Sequence, residues 1–470
     1  MFRTFAALAL AAGIAAPAAA ALPPPVARAL AAAKVPRTAV AVLVEPVGGS
    51  RPLLSERAGA ALDPGSVMKL VTTFAALEQL GPAYRWRTEA WATGPLRDGV
   101  LEGNLVLRGS GDPKLDLEAF WGLLRALRGQ GLREIRGDLV LDRSRFAPVD
   151  GDPNAFDGEG FRPYNVLPDA LLLNYRSLRF VFQPVPERGT ASVYVDPRPP
   201  ALEVVNRLRL SAGPCLDGKA FRELLQAAFD SARQRAEFDG LYPATCGEKD
   251  LNVALLSPDD QVAGVMRQLW GELGGAWQGA VRDGALGADA QLLHAHESAP
   301  LANLVRDMNK YSNNVMARQI FLTLGAEASG APATLENSRA AVKSLLAAHN
   351  IAAPELVLDN GSGLSRTARV SAATLAALLQ AAWKSALMPE FVASLPIVAV
   401  DGTERKRMKD DDAAGRAHIK SGLLADASAI AGYMLSRSGR RYVVVMIANG
   451  PGAPEARVAM DALLHWVYER

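Results

Sequence analysis

The sequence predicts an α+β protein in which an antiparallel sheet is flanked by helices. Two observations predict it. Near the C-terminus three β-rich apolar runs follow one another: AHIKSGLL (417 to 424), ASAIAGYML (427 to 435) and RYVVVMIAN (441 to 449). The stretch RSGR, 437 to 440, supplies a hairpin turn between the last two. At the other end TAVAVLVE (38 to 45) reads as a further strand, and segments with helical character follow it and close the chain. Helices packed on an antiparallel sheet make the main domain α+β.

The elements can be taken in order. MFRTFAALALAAGIAAPAAAALPPP opens with Arg3, an alanine-rich apolar run, then small residues and prolines. That three-part layout predicts an export signal over 1–20, cleaved after Ala20 or Ala21. The run is too short and too rich in alanine for a membrane-spanning anchor, and no later stretch is long and apolar enough to serve as one. After the strand 38 to 45, DPGSVMKLVTTFAALEQLG (63 to 81) has a helix start at Asp63-Pro64 and a stop at Gly81-Pro82. Its apolar residues cover most of the circumference, as in a buried helix.

Between about 86 and 290 come short strands, Pro- and Gly-rich turns and a few helices, the best being LEAFWGLLRALRGQG (117 to 131) and KAFRELLQAAFDSARQR (219 to 235). MNKYSNNVMARQIF (308 to 321) reads as a helical segment. PEARVAMDALLHWVYER (454 to 470) has apolar residues at helical spacing and lacks a basic face, so it reads as a core helix on the sheet. The simplest architecture completes the N-terminal strand and helix with the C-terminal third and inserts the rest between them.

The chain has 470 residues and a net charge of +2, which gives no electrostatic reason for a nucleic-acid partner. Its five histidines are scattered, with no H-E-x-x-H and no C-x-x-C, so no metal or other cofactor is expected. Cys215 and Cys246 are the only cysteines. An oxidising compartment permits a bridge between them, closing a loop of about 30 residues; two buried free thiols are the alternative.

The chemistry starts with Lys69. A lysine inside an apolar helix must reach the surface or be held by a polar partner, and the partner one turn back is Ser66. A serine hydroxyl is a poor nucleophile until a base takes its proton; positions i and i+3 share a helix face. Lys69 is a base only when neutral, and burial with a nearby cation, Lys420, would lower its pKa. One S-x-x-K is weak evidence. Two further sites raise it: Ser312-Asn313-Asn314 in the helical segment and Lys420-Ser421-Gly422 on a strand. S-x-x-K, S-x-N and K-[ST]-G, in this order, form the motif set of penicillin-binding proteins and class A β-lactamases. Ser312 can pass a proton between the lysines and a leaving amine, Asn314 offers an amide to a substrate peptide group, and Lys420 with the Ser421 hydroxyl suits a carboxylate. A strand edge can pair with an extended peptide.

With LRGSGDPKL (107 to 115), LDNGSGLSR (358 to 366), VDGTERKR (400 to 407) and SGLLADASAIAGY (421 to 433) added, the chain resembles the D-alanyl-D-alanine carboxypeptidase/endopeptidase family, the class C low-molecular-mass penicillin-binding proteins. The resemblance implies a penicillin-binding/serine β-lactamase-like domain with two nested, inserted smaller domains. It places the catalytic domain at 21–85 and 288–470, one insertion at 86–170 and 256–287, and a second at 171–255. It implies Ser66 as acylated nucleophile and Lys69 as base, with Ser312, Asn314 and Lys420 completing the catalytic set. Ser421, Gly422, Leu423 and Arg366 would bind substrate, the Ser66 and Leu423 N–H groups forming the oxyanion hole. It implies peptidoglycan stem peptides and β-lactam inhibitors as partners and the periplasm as location.

Three departures stand out: serine for threonine at 421, Glu404 where the family has leucine, and no tryptophan pattern near GFRPYN. Rival readings are a serine β-lactamase, which the long insertion disfavours, and a non-hydrolytic wall-peptide or penicillin binder. An ordinary Ser-His-Asp esterase would need a G-x-S-x-G elbow, which is missing.

Overall fold

A strand with an unbroken apolar run needs cover on both faces, and the run Tyr442 to Ala448 within RYVVVMIAN finds it. The computed structural model describes residues 22–49 and 51–470; the expected export segment, with its cleavage point at Ala20 or Ala21, lies outside the described residues. Five antiparallel strands form the main sheet in the order Leu54–Glu56, Val40–Pro46, Arg441–Asn449, Ala427–Leu435, Ala417–Leu423. Val42 pairs with Met446, and Lys420 with Ala431. Ala41, Leu43, Ala431, Val443, Val445 and Ile447 turn to one face, against the helices Lys69–Leu80, Asn314–Ser329 and Ala372–Lys384. Val40, Val42, Val44, Ile430, Val444 and Met446 turn to the other, against Pro24–Ala32 and Arg457–Tyr468. Strand alternation thus feeds two separate cores, and the helix that closes the chain lies on the sheet as its periodicity implies.

The edge strand Ala417–Leu423 carries the third motif. Its first half is covered: Val398 N–H donates to the Ala417 carbonyl at 3.0 Å, and Ile419 N–H to that of Pro396 at 2.9 Å. Because antiparallel pairing alternates, Ser421 and Leu423 point their backbone groups the same way as Ile419, but past the end of that cover.

The chain between residues 87 and 297 builds its own sheets and cores. A mixed five-stranded sheet, ordered Val281–Asp283, Leu139–Asp142, Asn104–Gly109, Arg87–Thr93, Gln291–Glu297, packs with helices Leu117–Gly129 and Pro258–Glu272. Within this stretch, strands between Leu178 and Val253 enclose an aromatic core of Phe180, Phe182, Phe221, Phe238 and Tyr242. Cys215 and Cys246 form a disulfide in that unit, their Cα atoms 4.8 Å apart.

Two helical expectations need correction. KAFRELLQAAFDSARQR is not one helix: it ends at Leu225, Gln226 takes a left-handed conformation (φ 43°), and Ala227–Asp230 pairs antiparallel with Arg235–Phe238. Ala236 and Phe238 are fully buried as alternate residues of a strand, and that burial overrides local helix propensity. MNKYSNNVMARQIF is broken as well. One helix ends at Lys310, Ser312 is left-handed (φ 56°), and the next begins at Asn314. Asn313 caps the second helix, its side-chain oxygen accepting the Met316 N–H at 3.0 Å.

The disulfide closes a loop with a sequence separation of 31, which restricts the unfolded chain by about 3 kcal/mol. Cys215→Ser should therefore lower the thermal midpoint by several degrees, read by calorimetry. The cleft described next should keep its geometry, since neither cysteine borders it.

Candidate active site

The nucleophile helix does not begin as an α-helix. Gly65–Met68 is a 3-10 turn, and the α-helix runs Lys69–Leu80. In 3-10 geometry positions i and i+3 eclipse, which sets Ser66 beneath Lys69. The turn is fixed by Asp63, whose carboxylate accepts the Gly65 N–H at 2.9 Å. Lys69 is completely buried. Its Nζ lies 2.9 Å from Ser66 Oγ, 2.6 Å from Asn314 Oδ1 and 2.7 Å from the Ser362 carbonyl oxygen. Burial pushes the amine well below the ordinary lysine range, and the cations of Lys420 and Arg318 push it further.

These contacts decide how a neutral amine must sit. The carbonyl oxygens of Asn314 and Ser362 can only accept, so they take the two N–H bonds of a neutral amine. The lone pair is left facing Ser66, the one neighbour able to donate. The arrangement is that of a base aimed at a hydroxyl.

The second motif occupies the break between two helices. Lys310 Nζ pairs with Asp401 at 2.6 Å, and Asn309 Nδ2 donates to Thr73 and Ser394 at 2.9 Å each. The left-handed turn at Ser312 then brings its hydroxyl 2.9 Å from Lys420 Nζ. Lys420 is completely buried and also donates to the Ser421 carbonyl at 2.7 Å. Burial lowers its pKa to about 8, against a nearby Glu404 carboxylate that raises it.

The third-motif strand closes on the nucleophile turn. A Cβ on Gly422 would lie 2.3 Å from the Pro64 carbonyl oxygen and 2.9 Å from the Ser66 nitrogen, so only glycine permits the approach. Leu423, exposed at 61%, directs its N–H outward beside the first-turn N–H of Ser66, which has no intrahelical acceptor. Two donors so placed suit a developing oxyanion. A cavity of about 260 Å³ lies here, lined by Ser66, Ser312, Glu404, Arg407, Ser421 and Leu423 among others. On the other side of Ser312 and Asn314 a larger cavity, about 560 Å³, is bordered by Arg162, Tyr164, Tyr175 and Tyr311.

The structure thus gathers Ser66, Lys69, Ser312, Asn314, Lys420, Ser421, Gly422 and Leu423 around one cleft. Arg366 pairs with Asp426 at 3.2 Å, donates to the Phe156 carbonyl at 3.1 Å and lies over that ring. It ties the loop around Phe156 to the end of the strand hairpin. Two participants were not singled out from sequence, and a third stood out there only as a departure from the family pattern. The Ser362 carbonyl is presented by the turn Gly361–Gly363, where a Cβ on Gly363 would lie 1.9 Å from the Gly65 oxygen; the glycines flanking Ser362 were the available signal. Arg318, 8% exposed, donates to the Val166 carbonyl at 2.6 Å and burial lowers it to about 10; one turn after Asn314 it reads like any helix arginine. The third is Glu404. Among the described residues no cluster of His, Cys, Asp or Glu could hold a metal ion, and no helix is long and apolar enough to cross a membrane.

Fold and site together define a serine-type carboxypeptidase of the penicillin-binding-protein class. The structure superposes on the crystal structure of penicillin binding protein 4 (DacB) from Haemophilus influenzae with a TM-score of 0.78, at 24% identity, covering 95% of this chain and 99% of that one. The same Haemophilus protein in complex with a novel β-lactam matches at 0.74, again at 24% identity, with the same coverage of both chains. The chain belongs to the D-Ala-D-Ala carboxypeptidase 3 (S13) family, whose sequence profile matches residues 24–469. Curated relatives include a D-alanyl-D-alanine carboxypeptidase of Actinomadura sp. (strain R39), 29% identical over 442 residues, 90% of this chain and 79% of that one. The Haemophilus influenzae DacB carboxypeptidase is 26% identical over 387 residues, 82% of this chain and 80% of that one.

Two predictions follow from this geometry. Gly422→Ala should slow penicillin acylation by about 100-fold, the scale of a 1 Å misplacement in an active site, with circular dichroism unchanged. The acylation rate should follow a bell-shaped pH profile, rising as Lys69 loses its proton and falling near pH 8 as Lys420 loses its own. Arg318→Met removes a cation that holds Lys69 down, so its pKa rises. The acid limb should then move to higher pH while the alkaline limb stays in place.

Proposed function

We propose that the protein is an exported, periplasmic D-Ala-D-Ala carboxypeptidase/endopeptidase that acts on peptidoglycan stem peptides through an acyl-enzyme on Ser66. The observation that carries this reading is Lys69 Nζ lying 2.9 Å from Ser66 Oγ while its other two contacts are oxygens that can only accept. The substrate carbonyl sits between the Ser66 and Leu423 N–H groups. Ser66 Oγ attacks the carbonyl carbon, its proton passes to Lys69 Nζ, and negative charge gathers on the carbonyl oxygen. The C–N bond then breaks. The departing amine takes a proton from the Ser312 hydroxyl, which is replenished from Lys420 or Lys69, and an ester is left on Ser66. Water hydrolyses that ester and restores the hydroxyl.

The remaining residues hold the peptide. The Asn314 side chain holds Lys69 through its oxygen and offers its amide nitrogen to the acyl peptide. Ser421 and Lys420 receive the leaving end, and Gly422 admits the extended chain beside the strand edge. Arg366 shapes the rim through the Phe156 loop. The cavity beyond Ser312 and Asn314 takes the stem on the acyl side. The division into a catalytic domain (21–85 and 288–470), an insertion (86–170 and 256–287) and a nested insertion (171–255) is part of the same reading. Export is supported by the three-part layout of residues 1–20. A β-lactam presents a strained amide to the same hydroxyl, so penicillin should inhibit by acylating Ser66.

The test is release of D-alanine from diacetyl-L-Lys-D-Ala-D-Ala, with labelled penicillin as a second probe. Wild type should release D-alanine and keep a stable penicilloyl adduct, whereas Ser66→Ala should form none. Lys69→Ala should fold normally and lose at least about 1,000-fold in acylation rate, within the range for a missing general base. Rapid turnover of the penicillin without peptide cleavage would instead identify a β-lactamase and sink the proposal.

A further inference from the structure

Glu404 stands where the resemblance implies leucine, and it is not a spectator. It is 2% exposed, lines the smaller cavity, and its Oε1 accepts the hydroxyl proton of Ser421. Its other oxygen pairs with Arg407 at 3.1 Å. Arg407 is itself 3% exposed and its Nε pairs with Asp461. Burial alone would raise the Glu404 carboxyl, but Arg407 and the hydroxyls of Ser421 and Thr403 outweigh it and hold the group below the usual range, so it is ionised at neutral pH. The loop cannot easily drift. Asp401 is tied to Lys310 and to the Ile397 N–H, and a Cβ on Gly402 would lie 2.6 Å from the Lys310 carbonyl oxygen.

A hydroxyl carries one proton, and the Ser421 proton is committed to a carboxylate built into the protein. A ligand carboxylate reaching for the same hydroxyl would meet its lone pairs and, behind them, a like charge. It would be left with the Lys420 ammonium, two of whose N–H groups already have acceptors. A carboxamide at the same place is better matched, because its NH2 can donate to Glu404 or Ser421 while its oxygen accepts from Lys420.

We propose that Glu404 is a specificity-determining residue that occupies the carboxylate-receiving hydroxyl of the cleft and selects leaving residues whose carboxyl is masked as an amide over those with a free carboxylate. The inference rests on the carboxypeptidase reading above and names the leaving group that its cleft prefers.

The experiment compares diacetyl-L-Lys-D-Ala-D-Ala with the same peptide ending in a carboxamide, for wild type, Glu404→Gln and Glu404→Leu. The product common to both, diacetyl-L-Lys-D-Ala, is quantified by chromatography. Wild type should cleave the amide at least as efficiently as the acid. In both variants the ratio of kcat/KM should move toward the acid by threefold or more, with about tenfold expected and most of the change in KM, as removal of a like charge requires. The near-isosteric Gln variant keeps the cavity filled, so a Leu variant that fails to fold does not remove the test. A wild-type preference for the acid overturns the inference without any variant. So does a ratio in Glu404→Gln that moves less than threefold or moves toward the amide. Product from neither peptide would sink the carboxypeptidase reading and this inference with it; product from both with an unmoved ratio sinks the inference alone.

Discussion

The whole arrangement depends on keeping one amine dry. An uncompensated ammonium in an apolar interior is among the costliest groups a fold can hold, and Lys69 is surrounded on every side. Each structural element described here bears on that problem. The break after Lys310 starts a helix at Asn314 and delivers a side-chain oxygen; the glycine-flanked turn at Ser362 delivers a backbone one; the 3-10 start of the nucleophile helix delivers a hydroxyl. Burial lowers the amine's hold on its proton, and the positive charge of Lys420 and Arg318 lowers it further. Burial and like charge act in the same direction, which is how a lysine becomes a base near neutrality.

A second constraint follows from the first. The strand bearing Lys420 must lie almost in contact with the turn bearing Ser66, and two glycines make that possible, Gly422 on one side and Gly65 (φ 49°) on the other. The strand is pinned at its first half by residues 396 to 398 and is left open only where Ser421 and Leu423 face the cleft. Pinning and opening along one strand give a rigid wall with a short stretch of unpaired backbone, which also limits how much free edge is offered to other chains.

Much of this was legible in the amino-acid order, for identifiable reasons. The main sheet announced itself because strands covered on both faces become unbroken apolar runs, as in RYVVVMIAN. The three motifs stood out because proton transfer over one helical turn, and a strand that must pass close to a helix start, demand particular residues at fixed spacing. Other features left no such mark. A backbone carbonyl such as that of Ser362 has no side-chain signature, and Arg318 looks like an ordinary helix arginine until packing buries it. KAFRELLQAAFDSARQR has the composition of a helix; only the aromatic core around Phe238 turns its second half into a hairpin. Glu404 was visible as an oddity, but its meaning needed the Ser421 hydroxyl beside it.

The sheet order has a consequence for how the molecule comes into being. Val42 pairs with Met446, about 400 residues further along the chain, and contacts so distant in sequence form slowly. The helix Lys69–Leu80 has no complete sheet behind it until the C-terminal strands arrive, and one of them, Ala417–Leu423, brings Lys420. A chain in which these strands have not yet docked therefore carries Ser66 without Lys420 beside it. Ser66 and Lys420 come together only when segments about 350 residues apart in the chain have met.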